Sequence, residues 1–312
     1  MAGREVIDGT LTTRGKARLR GLLLALPGGL WLLAFLLLPM LALVGYAFAG
    51  RDEFGNVIWV FTWENLQAAM GYDPVGALTP DPSDDWTPHH LQILGWSFWV
   101  AGVTTILCLL IAFPLCFWIA ARPARWRPVL LALVLLPSFV NLVIRVSAWE
   151  LLLKHDLFPA QAAQWLGLVG PGMSLYPSSF AVYVAMVAAM LPFTVLPLYT
   201  SVERLDWSIV EAARDCYAGA WRTFRHAILS QVTPGLGAAA ILTFVPTLGM
   251  FLITDRLGGS KMSLVANLVA QKFKAVDFPQ GAALGLVLVG ISLLAVLAFT
   301  WLSGRAGRPE AR

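Results

Sequence analysis

Three ionisable residues stand in or beside apolar stretches, and they are the first candidates for chemistry. They are Arg145, Glu150 and Asp255. A charge inside a bilayer is costly, so each marks a candidate solute pathway or gate. Three aromatic residues accompany them, namely Trp149, Tyr183 and Tyr199. Carboxylates and aromatic faces attract ammonium groups, so the two acids and the three rings are candidate contacts of a cationic amine, which the arginine would repel.

Each ionisable residue also has a plainer interpretation. Arg145 can extend toward the membrane surface, or pair with a carbonyl or with an acid on another helix. Glu150 follows it by five positions, which is a poor same-face spacing on one helix. Asp255 and Arg256 can form a solvated helix end. Counting at about 1.5 Å per residue from Pro128 places Arg145 about 25 Å along a straight helix.

No pattern for catalysis or for metal binding is present in the sequence. The four histidines form no HExxH motif, the three cysteines show no CxxC spacing, and GxSxG is absent. The stretch "GTLTTRGKA" (9–17) has the wrong glycine spacing for a Walker A motif and no Ser or Thr after its Lys. We therefore expect no catalytic residue, metal or cofactor, no nucleotide site, and cysteines that are small buried hydrophobes.

The composition indicates a membrane protein. Of the 312 residues, 58% are hydrophobic and only 13% are charged, about half the charged share of a soluble domain. The net charge of +4 is too small to indicate a nucleic-acid partner. We therefore expect an all-α protein in contact with lipid.

Six apolar runs predict six transmembrane helices, because each is near or above the roughly 20 residues that a spanning helix needs. The runs cover residues 21–49, 92–120, 129–153, 179–200, 236–254 and 281–302. They divide the chain into a basic tail (1–20), a six-helix domain (21–302) and a C-terminal tail (303–312). The first run resembles a signal peptide, but it is too long for one and is expected to remain as a span.

Lys and Arg are distributed unevenly between the connecting segments. Four segments hold most of the 22 Lys and Arg residues, namely 1–20, 121–128, 201–235 and 303–312. The positive-inside rule therefore places both termini in the cytoplasm. The acidic segment 50–91 then lies outside, and we expect it to be irregular apart from one short helix in "TWENLQAAM".

The segment 201–235 is polar, although it lies between the fourth and fifth apolar runs. Asp206 or Ser208 can cap a first helix. Apolar residues at helical spacing predict a second helix over about 219–231, and the Pro-Gly pair that follows predicts its end. On the residues alone, the segment is either an amphipathic connector or a helix pair that offers one face to a partner.

This segment resembles the EAA loop of binding-protein-dependent permeases, the membrane subunits of bacterial ABC importers. The matching residues are Glu211, Ala212, Ala213, Asp215, Ala218, Leu229, Pro234 and Gly235. Tyr217 stands where that motif has glycine, and Ser230 stands where it has proline. Because the glycine permits the bend between the two helices, we expect the bend to move to Gly219 or to be less sharp.

The resemblance extends over about residues 20–302, where the chain is similar to the spermidine/putrescine permease branch. It is carried by "LPSFVNLVIRVSAWELLL", "MLPFTVLPLYTSVERLD", "FVPTLGMFLITDRLGG", "NLVAQKF" and "DFPQGAAL". It implies a type I importer fold of six helices in the bacterial inner membrane. It also implies three partners: a dimer of ATP-binding subunits, a second permease that is a different chain or a second copy, and a periplasmic substrate-binding protein.

The resemblance further implies roles for individual residues. In the family the Glu of the motif faces the ATPase, so the implied coupling residues are Glu211, Ala212, Ala213, Asp215, Tyr217 and Gly219. The implied function is the translocation of a small solute, such as putrescine or spermidine, driven by a separate ATPase. Similar permeases carry opines, iron, thiamine or phosphonates. A secondary transporter that works alone is the alternative outside the family, although no paired intramembrane acids or inverted repeat support it.

Overall fold

The computed structural model describes residues 5–52, 56–71, 89–167, 170, 172–259 and 262–306. Most of this is helical. The helices are α1 (Glu5–Ala47), α2 (Glu64–Ala69), α3 (His89–Ala120), α4 (Arg127–Leu135), α5 (Leu142–Leu152), α6 (Phe158–Trp165), α7 (Ser179–Glu203), α8 (Trp207–Asp215), α9 (Ala220–Thr223), α10 (Leu229–Leu248), α11 (Phe251–Leu257), α12 (Val265–Lys274) and α13 (Phe278–Ala306). A 3-10 turn (Leu136–Phe139) follows α4, and a π-helical turn (Phe224–Ile228) joins α9 to α10. Two short strands, β1 (Gly50–Arg51) and β2 (Val57–Ile58), pair antiparallel after α1.

Within the described residues, five helices are long and apolar enough to cross a bilayer. They are Leu26–Ala47, His90–Ala120, Ser179–Glu203, Ala220–Leu248 and Phe278–Thr300. The predicted short helix in the segment 50–91 is confirmed as α2, although the small β-hairpin before it was not predicted. Helix α1 begins at Glu5, so it extends from the first span into the basic tail. Residues 72–88 of the predicted irregular loop lie outside the described residues.

The prediction of one continuous helix over 129–153 is wrong. The 3-10 turn after α4 contains Pro137, Val140 is extended, and α5 then starts with Asn141 as its N-cap. The Asn141 side chain accepts a hydrogen bond from Val143 N at 2.8 Å. The two parts meet at 90°, so they form a sixth span only if the bent pair counts as one. The straight-helix estimate of the depth of Arg145 is therefore wrong as well.

Helices α3, α7 and α10 pack against one another as the central bundle. Two buried thiols lie in the contact between α3 and α7. Cys108 donates to Val187 O and Cys116 donates to Val195 O, at 3.8 and 3.6 Å. Both cysteines are buried as predicted, whereas Cys216 is exposed, contrary to the same prediction. The thiols thus act as small apolar side chains with weak donors.

Helices α7 and α10 cross closely at a glycine. A Cβ added to Gly235 would lie 2.5 Å from Ser201 Cβ and 3.1 Å from Pro197 O. Further along the same contact, the hydroxyls of Thr194 and Thr243 are 2.6 Å apart. The prediction that Pro234-Gly235 ends a helix is wrong, because α10 continues through both residues to Leu248. Packing against α7 overrides the local helix-breaking tendency of the pair.

Substituting Gly235 tests the importance of this crossing. We expect Gly235→Ala to destabilise the chain by about 1–3 kcal/mol, because the new methyl group overlaps α7. Gly290→Ala is the control, since a Cβ there meets nothing within 4 Å, and alanine favours helix by about 1 kcal/mol. Thermal unfolding in detergent measures both variants. A Gly235→Ala midpoint equal to or above that of the wild type would contradict the close crossing.

Candidate functional site

The segment between α7 and α10 begins with a capped helix. Asp206 is the N-cap of α8, one of the two caps predicted, and its carboxylate accepts from Ser208 N at 2.9 Å. Hydrogen bonds from the side chain and the backbone of Ser208 lower the pKa of Asp206, because they favour its charged form. The cap therefore stabilises α8 fully above the ordinary aspartate pKa, and this stabilisation is lost as the pH falls through the lowered pKa.

The turn after α8 is a Schellman motif with a tyrosine in the usual glycine position. Ala218 N donates to Ala213 O at 3.1 Å, and Tyr217 N donates to Arg214 O at 2.9 Å. Tyr217 has a φ of 56°, in the left-handed region that this motif requires. Gly219 has a φ of −60°. The expectation that the bend moves to Gly219 is therefore wrong, because Tyr217 adopts the backbone conformation that glycine would have.

The outer face of this segment carries most of the candidate coupling residues. Glu211, Ala212, Asp215 and Gly219 are exposed, and Ala213 is half-buried. The Tyr217 side chain is 98% exposed. Other large apolar side chains exposed on the same segment are Trp207, Ile209 and Trp221. Several large exposed apolar side chains on one segment are typical of an interaction surface.

The inner face of the segment is fixed to the bundle. Val210 and Ala227 are buried in the cluster that contains Ile119 of α3 and Leu198 of α7. The second apolar repeat is partly as predicted, because Phe224 and Ile228 are half-buried. Phe224 meets Phe113 of α3 edge to face at 5.9 Å. The outer face is therefore held at a defined position relative to α3, α7 and α10.

One polar side chain joins the two ends of the segment, and sequence analysis missed it. Gln231 Oε1 accepts from Asp206 N at 2.9 Å, and Gln231 Nε2 donates to Ala227 O at 2.7 Å. This amide therefore ties the start of α8 to the start of α10. A single amide at the start of an otherwise apolar span was the available signal.

Tyr199 lies near the end of α7, just before the segment 201–235, and is apart from the other candidate pathway residues. Its hydroxyl donates to Glu203 Oε1 at 3.0 Å, and Arg127 Nη1 lies 3.7 Å from the same oxygen. These contacts connect the end of α7 to the start of α4. The structure thus brings Tyr199 together with Val210 and Ala213 of the segment 201–235, in one buried cluster, and not with Arg145.

Arg145 and Trp149 line one cavity of about 500 Å³ between α4, α5, α7 and α11. The remaining lining is apolar and includes Pro137, Pro192 and Ile253. Arg145 is half-buried, and its Nε and Nη1 are shielded from solvent with no hydrogen-bond acceptor among the described residues. The cavity can therefore accommodate a small group beside the Arg145 side chain.

The other candidate pathway residues lie near this cavity but do not line it. Tyr183 packs against the buried cluster that Trp149 also contacts. Glu150 Oε1 lies 3.8 Å from Arg256 Nη1. Asp255 is exposed on α11. The structure therefore does not group the two acids and the aromatic rings into one amine-binding site within this chain.

The strained turn gives a stability prediction. A non-glycine residue in the left-handed region costs roughly 1–2 kcal/mol. Tyr217→Gly removes this cost, and a net stabilisation of the turn of about 0.7 kcal/mol remains after the entropy cost of glycine. We therefore expect hydrogen exchange of the backbone amides at positions 217 and 218 to slow about threefold or more. Tyr217→Ala is the control, because it keeps the Cβ and hence the strain. Faster exchange in Tyr217→Gly than in Tyr217→Ala would contradict this assignment.

The N-cap gives a second prediction. Asp206→Ala removes the acceptor for Ser208 N, so we expect faster hydrogen exchange over the first turn of α8. Asp206→Asn keeps a capping oxygen and is expected to resemble the wild type at neutral pH. Equal exchange in all three proteins would show that the cap does not stabilise α8.

Comparison with curated proteins identifies close relatives over most of the chain, whereas no protein-family model matches it. The spermidine/putrescine transport system permease protein PotB of Escherichia coli K12 is 31% identical over 276 residues, which are 88% of this chain and 94% of that protein. PotB of Haemophilus influenzae is 31% identical over 273 residues, 87% of this chain and 89% of that protein.

The solved structures agree at the level of the fold. A bacterial ABC transporter involved in the import of the acidic polysaccharide alginate matches with a TM-score of 0.66 at 14% identity, over 96% of this chain and 100% of that chain. This likeness shows a shared fold. Given the identity and coverage of the PotB proteins and this fold, the chain belongs to the permease subunits of bacterial binding-protein-dependent ABC importers, in the spermidine/putrescine permease branch.

Proposed function

We propose that this permease translocates a polyamine such as putrescine or spermidine, and that residues 201–235 couple it to a separate ATPase subunit. The observation that carries the coupling proposal is that one face of this segment is exposed while the opposite face is packed against the bundle. Its outer face exposes Glu211 and Tyr217, while its inner face is fixed by Val210 and Gln231. A partner that binds the outer face can therefore move the helices to which the inner face is attached.

The proposed docking face consists of the six candidate coupling residues. They are Glu211, Ala212, Ala213, Asp215, Tyr217 and Gly219. Ala212 lets a partner approach the α8 backbone closely, and Glu211 and Asp215, one turn apart, offer two carboxylates to its donors. The exposed rings of Trp207 and Trp221 add apolar area that a partner would bury.

The proposed assembly places this segment in the cytoplasm of a bacterium, with both termini on the same side of the inner membrane. The distribution of Lys and Arg supports that orientation. The proposed partners are a dimer of ATP-binding subunits, a second permease and a periplasmic binding protein. A bacterial alginate ABC transporter of similar fold forms a complex with an alginate pentasaccharide-bound periplasmic protein, which supports the last of these partners.

The polyamine proposal rests on the names of the PotB relatives and on the chemistry near the cavity. Trp149 and Tyr183 offer aromatic faces, and Glu150 and Asp255 offer carboxylates beside that region. An ammonium group is attracted to both. Because these groups do not form one site within this chain, the second permease would contribute the remaining contacts.

Charge reversal tests the coupling surface. We expect Glu211→Lys to reduce recovery of the ATPase subunit with the detergent-solubilised permease, and ATP-dependent uptake, at least tenfold, because it places a cation at the centre of the docking face. Glu64→Lys on α2 is the matched control, since Glu64 is also an exposed helical glutamate but belongs to a different part of the fold. Unchanged ATPase recovery and uptake in Glu211→Lys would contradict the coupling role.

A separate experiment tests the solute. Proteoliposomes that contain the wild-type permease, its ATPase, the second permease and the binding protein are expected to take up labelled putrescine, and unlabelled spermidine is expected to compete. Glucose at the same concentration is the control competitor. Absence of putrescine uptake, together with intact ATPase association, would reject the polyamine and leave the coupling role in place.

A further inference from the structure

Arg145 is a cation whose charge has no partner within the described part of this chain. Its Nε and Nη1 are shielded from solvent and meet no hydrogen-bond acceptor there. It lines the cavity of about 500 Å³ between α4, α5, α7 and α11, where its neighbours are aliphatic side chains, prolines and Trp149. A guanidinium in such surroundings is strongly destabilising unless an acceptor compensates it.

The nearest acids along the chain are directed elsewhere. Glu150 follows Arg145 by five residues on α5, which places it on a different face, and it pairs with Arg256 at 3.8 Å. On α11, Ile253 lines the cavity, whereas Asp255 lies two positions later and is exposed. Two positions turn a helix by about 200°, so Asp255 is on the far side. The chain therefore supplies no carboxylate to this cavity from these two helices.

The geometry of the bent span keeps Arg145 in place. The Asn141 cap starts α5 at the bend, and Arg145 N donates to Asn141 O at 3.1 Å in the first turn. Val146, the next residue, is buried against the cluster that contains Met186 and Ile253. The position of the Arg145 backbone is thus set by capping and packing, and a guanidinium is suited to bind a carboxylate oxygen.

We propose that this cavity is a carboxylate-binding site and that Arg145 is its anchor. The carboxylate comes either from a small solute or from an acidic side chain of the second permease. A polyamine has no carboxylate, so with that solute the source is the second permease. The inference goes beyond the coupling function, and only its subunit source rests on the proposed pairing with a second permease.

One observation favours the subunit source. One face of the bent span is apolar and is left uncovered by the described residues, with exposed Leu133, Leu136, Phe139, Val143, Ile144 and Leu151. This surface adjoins the cavity that Arg145 lines. A second permease that covers it would bring its own side chains to the guanidinium and would bury the charge together with its acceptor.

The solute source is tested with the purified full-length chain in detergent. Sodium propionate is the carboxylate probe, and propylamine hydrochloride at equal ionic strength is its cationic counterpart. If solutes supply the carboxylate, propionate raises the thermal midpoint of the wild type by about 2 °C or more, and it does not do so for Arg145→Met. An equal propionate shift in wild type and Arg145→Met is non-specific and counts against this source.

The subunit source is tested by co-purification of the second permease with the assembled wild type, Arg145→Met, Arg145→Lys and Arg256→Met. We expect Arg145→Met to reduce recovery at least tenfold and Arg145→Lys to retain an intermediate amount. Arg256→Met is the matched control, because it removes a cation from the adjacent helix and is expected to have little effect. In the isolated chain, Arg145→Met is expected to raise the thermal midpoint, which is opposite in sign to its effect on assembly.

The two arms together decide the proposal. An Arg145-dependent propionate shift, or an Arg145-dependent loss of the second permease, supports it and identifies the source. Absence of both overturns it. If the wild type itself recovers neither ATPase nor second permease, the proposed function fails, and the propionate arm alone then decides the role of Arg145.

Discussion

The close crossing of α7 and α10 is the constraint on which the proposed coupling surface depends. Gly235 allows the two helices to approach, and both ends of the segment 201–235 emerge from that contact. Gln231 then joins the start of α8 to α10, and Val210 of α8 is buried in one cluster with Ile119 of α3. Because packed helices deform little, a displacement of α8 would be passed to the central bundle and not absorbed by the loop.

The parts of the fold that could be predicted from the sequence are those set by local signals. The long apolar runs predicted α3, α7 and α13 to within a few residues, because only a helix satisfies the backbone of such a run in lipid. Asp206 was one of the two predicted caps, because Asp and Ser side chains at a helix start accept from its first backbone amides. The candidate coupling residues came from a motif, and their exposure could not be inferred from periodicity alone.

The parts that could not be predicted depend on contacts between distant segments. Pro137 lies at the bent span, yet Pro192 and Pro197 lie within the continuous helix α7, so proline alone does not indicate where a helix breaks. Pro234 and Gly235 predict a helix end by local preference, but packing against α7 keeps them helical. The φ of Tyr217 follows from the Schellman hydrogen bonds, which override the preference of tyrosine.

The most direct test of the central claim uses the native cysteine of the proposed coupling segment. Cys216 is exposed at the end of α8, whereas Cys108 and Cys116 are buried. A membrane-impermeant maleimide is applied to inverted and to right-side-out vesicles, with the ATPase subunit bound or stripped. The coupling account predicts labelling only in inverted vesicles, and protection when the ATPase is bound. Labelling from the outer side, or labelling that the ATPase does not change, would contradict it.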